Sequence, residues 1–163
     1  MEQPSPNAID MGRYFPAYVT FIANKWSRSA SRLYRREFGI GMVEWRLLVL
    51  LAAEPWATAA RADEQIGMDK AAVSRSVRVL EEKGLLRTRP GRRDPRRREF
   101  ALTAAGHDLH DRIASLALER ERRLLSCLQP AEVDQLLGLL DRVHGNLAAV
   151  DAASGTGDSA AED

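Results

Sequence analysis

Between Arg87 and Arg98 the chain places seven arginines (Arg87, Arg89, Arg92, Arg93, Arg96, Arg97 and Arg98) against one carboxylate, Asp94. Guanidinium groups this crowded repel one another unless an anion is at hand, so the segment points to a polyanion as its partner. The wider window from Arg61 to Arg98 holds 12 Lys/Arg and 6 Asp/Glu. That is +6 in a chain whose total is +1, and it leaves −5 elsewhere. No spacing in the sequence supplies catalysis: there is no nucleophile elbow, no phosphate-binding glycine loop and no HExxH. Neither an enzyme nor a cofactor is expected. His107, His110 and Asp111 share one helix face at metal-cluster spacing, but no cysteine or third histidine lies nearby in sequence, so they read as exposed helix residues with no metal.

A second basic group precedes the arginine run. Asp69 is placed to cap a helix over Lys70–Lys83, in which Val73, Val77 and Leu80 recur as a buried stripe. Lys70, Ser74 and Arg78, with Ala71 and Arg75, form the opposite face, which is small, polar and basic. A short helix over Thr58–Ile66, capped by Thr58 and broken at Gly67, precedes it, and the two make a helix-turn-helix. A helix with such a face fits a DNA major groove, where Ser and Arg reach base edges. Gly84 ends the helix in a left-handed cap, and Leu85–Arg89 has strand character before Pro90-Gly91 turns the chain. The return strand, Arg97–Thr103, alternates Arg98, Phe100 and Leu102 with Glu99 and Ala101. The loop between, Arg92-Arg93-Asp94-Pro95-Arg96, projects as an arginine-tipped wing.

These residues need a scaffold. With 163 residues and 18.1 kDa, the chain has the size of about one domain. Phe15, Val19, Ile22, Trp26, Leu33 and Phe38, with Ser29 on the same stripe, give a long amphipathic first helix within Met11–Phe38. Gly39 and Gly41 punctuate the chain, and Met42–Ala53 is apolar almost all round, a short core helix closed by Pro55, whose Glu44 and Arg46 need partners. Thr103 caps a helix from Ala104 to about Leu128, and Pro130 opens a last helix from Ala131 to about Val150. Val133, Leu136, Leu137, Leu140, Val143, Leu147 and Val150 form a seam of about three heptads there, more than one small domain uses. Together with the first helix it suggests a symmetric homodimer. The fold expected is mainly α: helical dimerisation regions over 10–38 and 104–150, a winged helix-turn-helix over 39–103, and a disordered tail over 151–163. The longest uncharged apolar run, Leu47 to Ala53, is too short to cross a bilayer, and Met1–Asp10 is acidic and proline-bearing, so no membrane association and a cytoplasmic location are expected. Cys127 has no intrachain partner and reads as a small buried hydrophobe near the seam.

The stretch Ala71 through Arg87 (AAVSRSVRVLEEKGLLR) followed by Asp94 through Gly106 (DPRRREFALTAAG) resembles the MarR family of winged-helix transcriptional regulators, and the similarity spans residues 10 to 150. Its most specific element is the spacing of Asp94, Arg96, Leu102-Thr103 and Gly106. The resemblance implies that Ser74 and Arg75 contact major-groove bases and that Arg96 enters the minor groove, with Asp94 orienting it. Arg92, Arg93, Arg97 and Arg98 then fall to phosphates. Where the family has a Leu-Ala pair in the first helix of the helix-turn-helix, this chain has Ala62 and Asp63, so either that helix is rotated or Asp63 pairs with a cation such as Arg61 or Arg78. The resemblance further implies a regulator, more often a repressor, released from a pseudo-palindromic operator by a small aromatic acid or phenol. Peroxide-sensing relatives carry a cysteine near the start of the first helix, and none stands there in this chain. Trp26 and Ser29 on the first helix, with Trp45 and Arg46 on the second, are the residues suited to an aromatic carboxylate; the alternative is an Arg46 salt bridge to Glu44 or to another helix, with Trp45 as core. Two other readings stay open: a sequence-indifferent architectural DNA binder, and a protein-interaction module that has lost operator binding.

Overall fold

The computed structural model describes residues 5, 7–67, 70–92 and 94–153. Asp69, Arg93, the side chain of Lys70 and the tail beyond residue 153 therefore lie outside the described residues. Among the described residues the elements follow in the order α1 (Phe15–Phe38), α2 (Met42–Ala53), β1 (Ala57–Thr58), α3 (Ala59–Ile66), α4 (Lys70–Glu82), β2 (Leu86–Pro90), β3 (Arg98–Leu102), α5 (Ala104–Leu124), α6 (Pro130–Gly145) and α7 (Leu147–Ala153). The fold is mainly helical, a winged helix with a small antiparallel sheet. The chain divides into two compact units, one ending at Leu116 and one beginning at Ala117.

In the first unit, most of α2 is core. Leu47, Leu48, Leu50 and Leu51 are buried and meet Ala30 and Tyr34 of α1, Val73, Val77 and Leu80 of α4, and Phe100 and Leu102 of β3. Helix boundaries follow local chemistry. Gly39, Gly67 and Gly84 all take left-handed φ at the ends of α1, α3 and α4, a conformation that costs glycine nothing. The Thr58 hydroxyl accepts the Arg61 N–H, the cap expected of it.

The sheet differs from a simple hairpin. Besides the β2–β3 ladder, which pairs Leu86 with Leu102 and Pro90 with Arg98, β1 adds a third strand, so β3 is the middle one. β1 pairs Ala57 with Phe100 and Thr58 with Glu99, and two residues are too few to show a period. Ala101 is buried as well as Phe100 and Leu102. Its methyl group lies beside Arg87, its register partner, whose long side chain runs toward Trp56.

α2 is less enclosed than its composition suggests. Arg46 and Val49, one turn apart, are exposed, so Arg46 is not a buried cation in search of a partner. Glu44 is held from two sides: its carboxylate accepts the Gly41 N–H at 2.8 Å and the Ser76 hydroxyl at 2.6 Å. The fork of Arg61 grips Glu54 through Nε and a terminal nitrogen at 2.9 and 2.8 Å and reaches Glu64 at 2.9 Å. Those hydrogen bonds hold Arg61 above its ordinary pKa and Glu54 below its own. Arg61 is thus committed elsewhere than Asp63, which is half-buried, while the adjacent Ala62 fills the core position.

The second unit takes the end of α5 with α6 and α7. α5 stops at Leu124, short of Leu128, so Cys127 sits in the turn before Pro130 and is exposed, not buried. The last helix is two helices: the chain breaks at Gly145-Asn146, both poor helix formers, and the Asn146 N–H bonds to the Val143 carbonyl. α7 then runs to Ala153, three residues into the segment expected as tail. On α6 and α7, Leu136, Leu137, Leu140, Val143, Leu147 and Val150 are all exposed in the single chain. In the first unit the same is true of Phe15, Val19 and Ile22 on α1. Among the described residues no helix is long and apolar enough to cross a membrane.

Candidate nucleic-acid interface

α4 is two-faced. Val73, Ser76, Val77 and Leu80 are buried, whereas Ala71, Ser74, Arg75 and Arg78 are exposed. The buried stripe anchors the helix against α2 and α3, and Ser74, Arg75 and Arg78 lie exposed on the opposite side. Ser76 is the one buried polar residue of the described core, and its bond to Glu44 pins α4 to the N-terminus of α2.

Beside this face the wing is built by backbone geometry. The Gly91 N–H donates to the Arg97 carbonyl at 2.7 Å, closing the loop at its root. A Cβ on Gly91 would stand 2.7 Å from the Asp94 carbonyl oxygen and 3.1 Å from that of Arg97, so the closure requires glycine. The Asp94 carboxylate accepts the backbone N–H of Arg96 at 3.0 Å, and its other oxygen lies 3.6 Å from Nε of Arg97. Asp94, which the resemblance gives the task of orienting Arg96, therefore holds the backbone that carries Arg96. Arg92, Arg96 and Arg97 are exposed.

Two contacts tie the wing root to the helices, and neither is foreseen from sequence. Trp56, at φ +68 in the turn after α2, offers its ring to the Arg89 guanidinium at 3.8 Å and to that of Arg87 at 5.0 Å. Arg89 in turn pairs with Glu99 at 2.8 Å, and Glu99 also accepts the Arg92 N–H at 3.2 Å. The Arg89 hydrogen bonds, with that of Arg92, keep the Glu99 carboxyl below the ordinary glutamate range. The second contact is at Glu81, which accepts the Thr88 hydroxyl and, at 2.9 Å, the guanidinium of Arg98. Arg98, expected among the phosphate-binding arginines, is thus paired with a carboxylate of its own chain while staying 60% exposed. A groove of about 500 Å³ opens between the start of α3, the outer face of α4 and the wing root, lined by Ser74, Arg78, Glu81, Arg97 and Arg98 among others. Spacing alone could have pointed to Glu81, seven residues beyond Ser74 on the same stripe.

The other candidates fall elsewhere in the first unit. Trp45 is half-buried, edge-on to Tyr34 at 5.9 Å and stacked on His110 at 5.5 Å, while Arg46 beside it is exposed. Trp26 and Ser29 are half-buried on α1. His110 bonds Asp111 at 2.8 Å, and among the described residues no three His, Cys, Asp or Glu gather closely enough to hold a metal.

The sequence model of the MarR family matches residues 38–97, which run from the end of α1 through the wing. A MarR/EmrR family transcriptional regulator from Acinetobacter sp. ADP1 is 35% identical, with a TM-score of 0.80 over 86% of this chain and 99% of its own. The PcaV transcriptional regulator of Streptomyces coelicolor, solved with its natural ligand, shares the fold at 22% identity and a TM-score of 0.70, over 85% of this chain and 96% of its own. MepR of S. aureus, solved as a DNA complex, shares it at 23% identity and a TM-score of 0.71, over 82% and 96%.

Proposed function

The chain belongs to the MarR family of DNA-binding transcriptional regulators, a class without enzymatic activity, and from that premise we propose that it is a homodimeric, sequence-specific repressor whose release from its operator is controlled by a small aromatic acid or phenol. The observation that carries the reading is the exposed stripe of Ser74, Arg75 and Arg78 on a helix whose other face is core, beside a wing bearing exposed Arg92, Arg96 and Arg97. In this reading Ser74 and Arg75 meet base edges, and Lys70, Ala71 and Arg78 follow the groove wall. Arg96, on a backbone held by Asp94, enters the minor groove, where a narrow negative channel attracts a guanidinium. Arg92, Arg93 and Arg97 add phosphate contacts that carry affinity and salt dependence but no sequence information. The exposed apolar faces of α1 and of α6 with α7 are the surfaces a second copy would cover, setting half-sites roughly 10 bp apart.

For the effector, the half-buried aromatic Trp45 beside the exposed cation Arg46, with Trp26 and Ser29 on α1, supplies the groups an aromatic carboxylate calls for. That the Streptomyces coelicolor relative was solved with a natural ligand favours a ligand-responsive member. The test is selection of bound sequences from random duplex DNA at near-physiological salt, followed by titration of the selected site with hydroxybenzoate. An enriched inverted repeat released by the acid is the expected result. Salt-sensitive binding without enrichment would replace it with an architectural role, and no binding would favour a module that has lost its operator.

A further inference from the structure

The outer stripe of α4 does not end at Arg78. Less than a turn further on, Glu81 occupies the same face and lines the groove with Ser74, Arg78, Arg97 and Arg98. A carboxylate on a surface offered to a polyanion is repelled by it, so its presence there calls for a reason. One oxygen of Glu81 accepts both the Thr88 hydroxyl and the Arg98 guanidinium, the latter at 2.9 Å. Glu81 is 28% exposed and Arg98 60%, which puts the pair at the groove's edge, where an exposed ion pair contributes little to folding.

Resting on the DNA-binding reading above, we propose that Glu81 is a positioning residue that withholds Arg98 from DNA phosphates and so lowers both the affinity for duplex of any sequence and its salt dependence. Turning Arg98 toward a phosphate would gain one cation–phosphate contact and at once leave the Glu81 carboxylate uncompensated in the same field. The two effects oppose each other, so the pair adds no net charge to the interface. Ser74 and Arg75 keep their reach to base edges, so affinity falls on every sequence alike and base preference is untouched.

The test compares the parent with Glu81→Gln and with the double variant Glu81→Gln/Arg98→Ala, titrating random duplex and the selected operator over a range of salt. Glutamine keeps an oxygen for the Thr88 hydroxyl, and thermal melts of both variants check the fold. Glu81→Gln is expected to bind random duplex and the selected operator each about tenfold tighter at low salt, with a salt slope steeper by about 0.9 per copy of the chain on both. The double variant is expected to return to the parent slope, because it removes a neutral pair. An unchanged slope in Glu81→Gln, a double variant shallower than the parent, or a loss of preference confined to one operator base pair would overturn the inference while leaving DNA binding intact. A parent that binds no duplex overturns the DNA reading itself.

Discussion

The hydroxyl of Ser76 on α4 donates to the carboxylate of Glu44 on α2 at 2.6 Å, across 32 positions of sequence. The other carboxylate oxygen of Glu44 accepts the Gly41 N–H at the start of α2. One side chain thus joins the N-terminus of α2 to the buried face of α4. Ser76→Ala removes a buried donor and leaves the Glu44 oxygen without it, which should lower stability by about 1 to 2 kcal/mol. Urea unfolding measures this, and a midpoint equal to the parent's would show that the bond contributes nothing.

Gly106 answers to a different constraint. A Cβ at this position would overlap the carbonyl oxygen of Leu85 and stand 3.2 Å from Cβ of Leu102. The same Leu85 carbonyl accepts the Thr103 N–H, and the Thr103 hydroxyl donates to the Gly84 carbonyl while accepting the Gly106 N–H. The first turn of α5 is therefore pressed against the end of α4 and the start of β2, and the Thr103…Gly106 spacing is its signature. Gly106→Ala should lower stability by about 3 kcal/mol, because backbone rather than a side-chain tip has to move. A thermal melt within a degree or two of the parent would refute this.

What the sequence makes legible is what depends on neighbours along the chain. The stripe Val73, Val77 and Leu80, the breaks at Gly67 and Gly84 and the cap at Thr58 all follow from period and local hydrogen bonding, and with them the basic face of α4. Contacts between distant segments leave no such trace: Trp56 with Arg89, Arg61 with Glu54, and Arg98 with Glu81 each join residues whose intervening spacing carries no period. Arg46 shows the limit from the other side. A nearly all-apolar composition marks α2 as core, yet cannot reveal that one edge of the helix remains open.

The Trp56–Arg89–Glu99 chain predicts a pH dependence. Glu99 has its pKa lowered in the folded state, by the Arg89 hydrogen bonds first, so the stability it contributes is present above its unfolded pKa and is lost as pH falls through the folded one. Glu99→Gln should therefore be less stable than the parent near neutrality, and the gap should close as pH falls below about 4. Melting temperatures of both proteins between pH 7 and pH 3 measure the gap, and a constant difference across that range would remove Glu99 from the account.

Arg75 and Arg97 separate reading from holding. Arg75 is exposed on α4, where it can meet base edges, and Arg97 is exposed on the wing with the Asp94 carboxylate 3.6 Å away. Arg75→Ala should weaken operator binding by about 1 to 3 kcal/mol and relax base preference, whereas Arg97→Ala should weaken all sequences alike and lower the salt slope by about one. Equal losses on operator and random duplex from both substitutions would sink the assignment.

Leu140 tests the dimer. It lies midway along the apolar face of α6 and α7 that runs from Leu136 to Val150, and it is 39% exposed in the single chain. A helix with so wide an apolar face in water is a standing association surface, and its residues contribute little to the fold of one chain because they are already exposed. Leu140→Glu would place a carboxylate at the centre of that face, where burial without a partner is costly. Sedimentation should then shift from twice 18.1 kDa toward the single-chain mass with helical content retained. Operator affinity should fall steeply in the same variant, because two half-sites can no longer be held by one particle, while random-duplex binding per chain stays close to the parent's. An assembly of unchanged mass in the variant would move the interface away from α6, and a parent that sediments as a single chain would remove the two-fold operator from the reading.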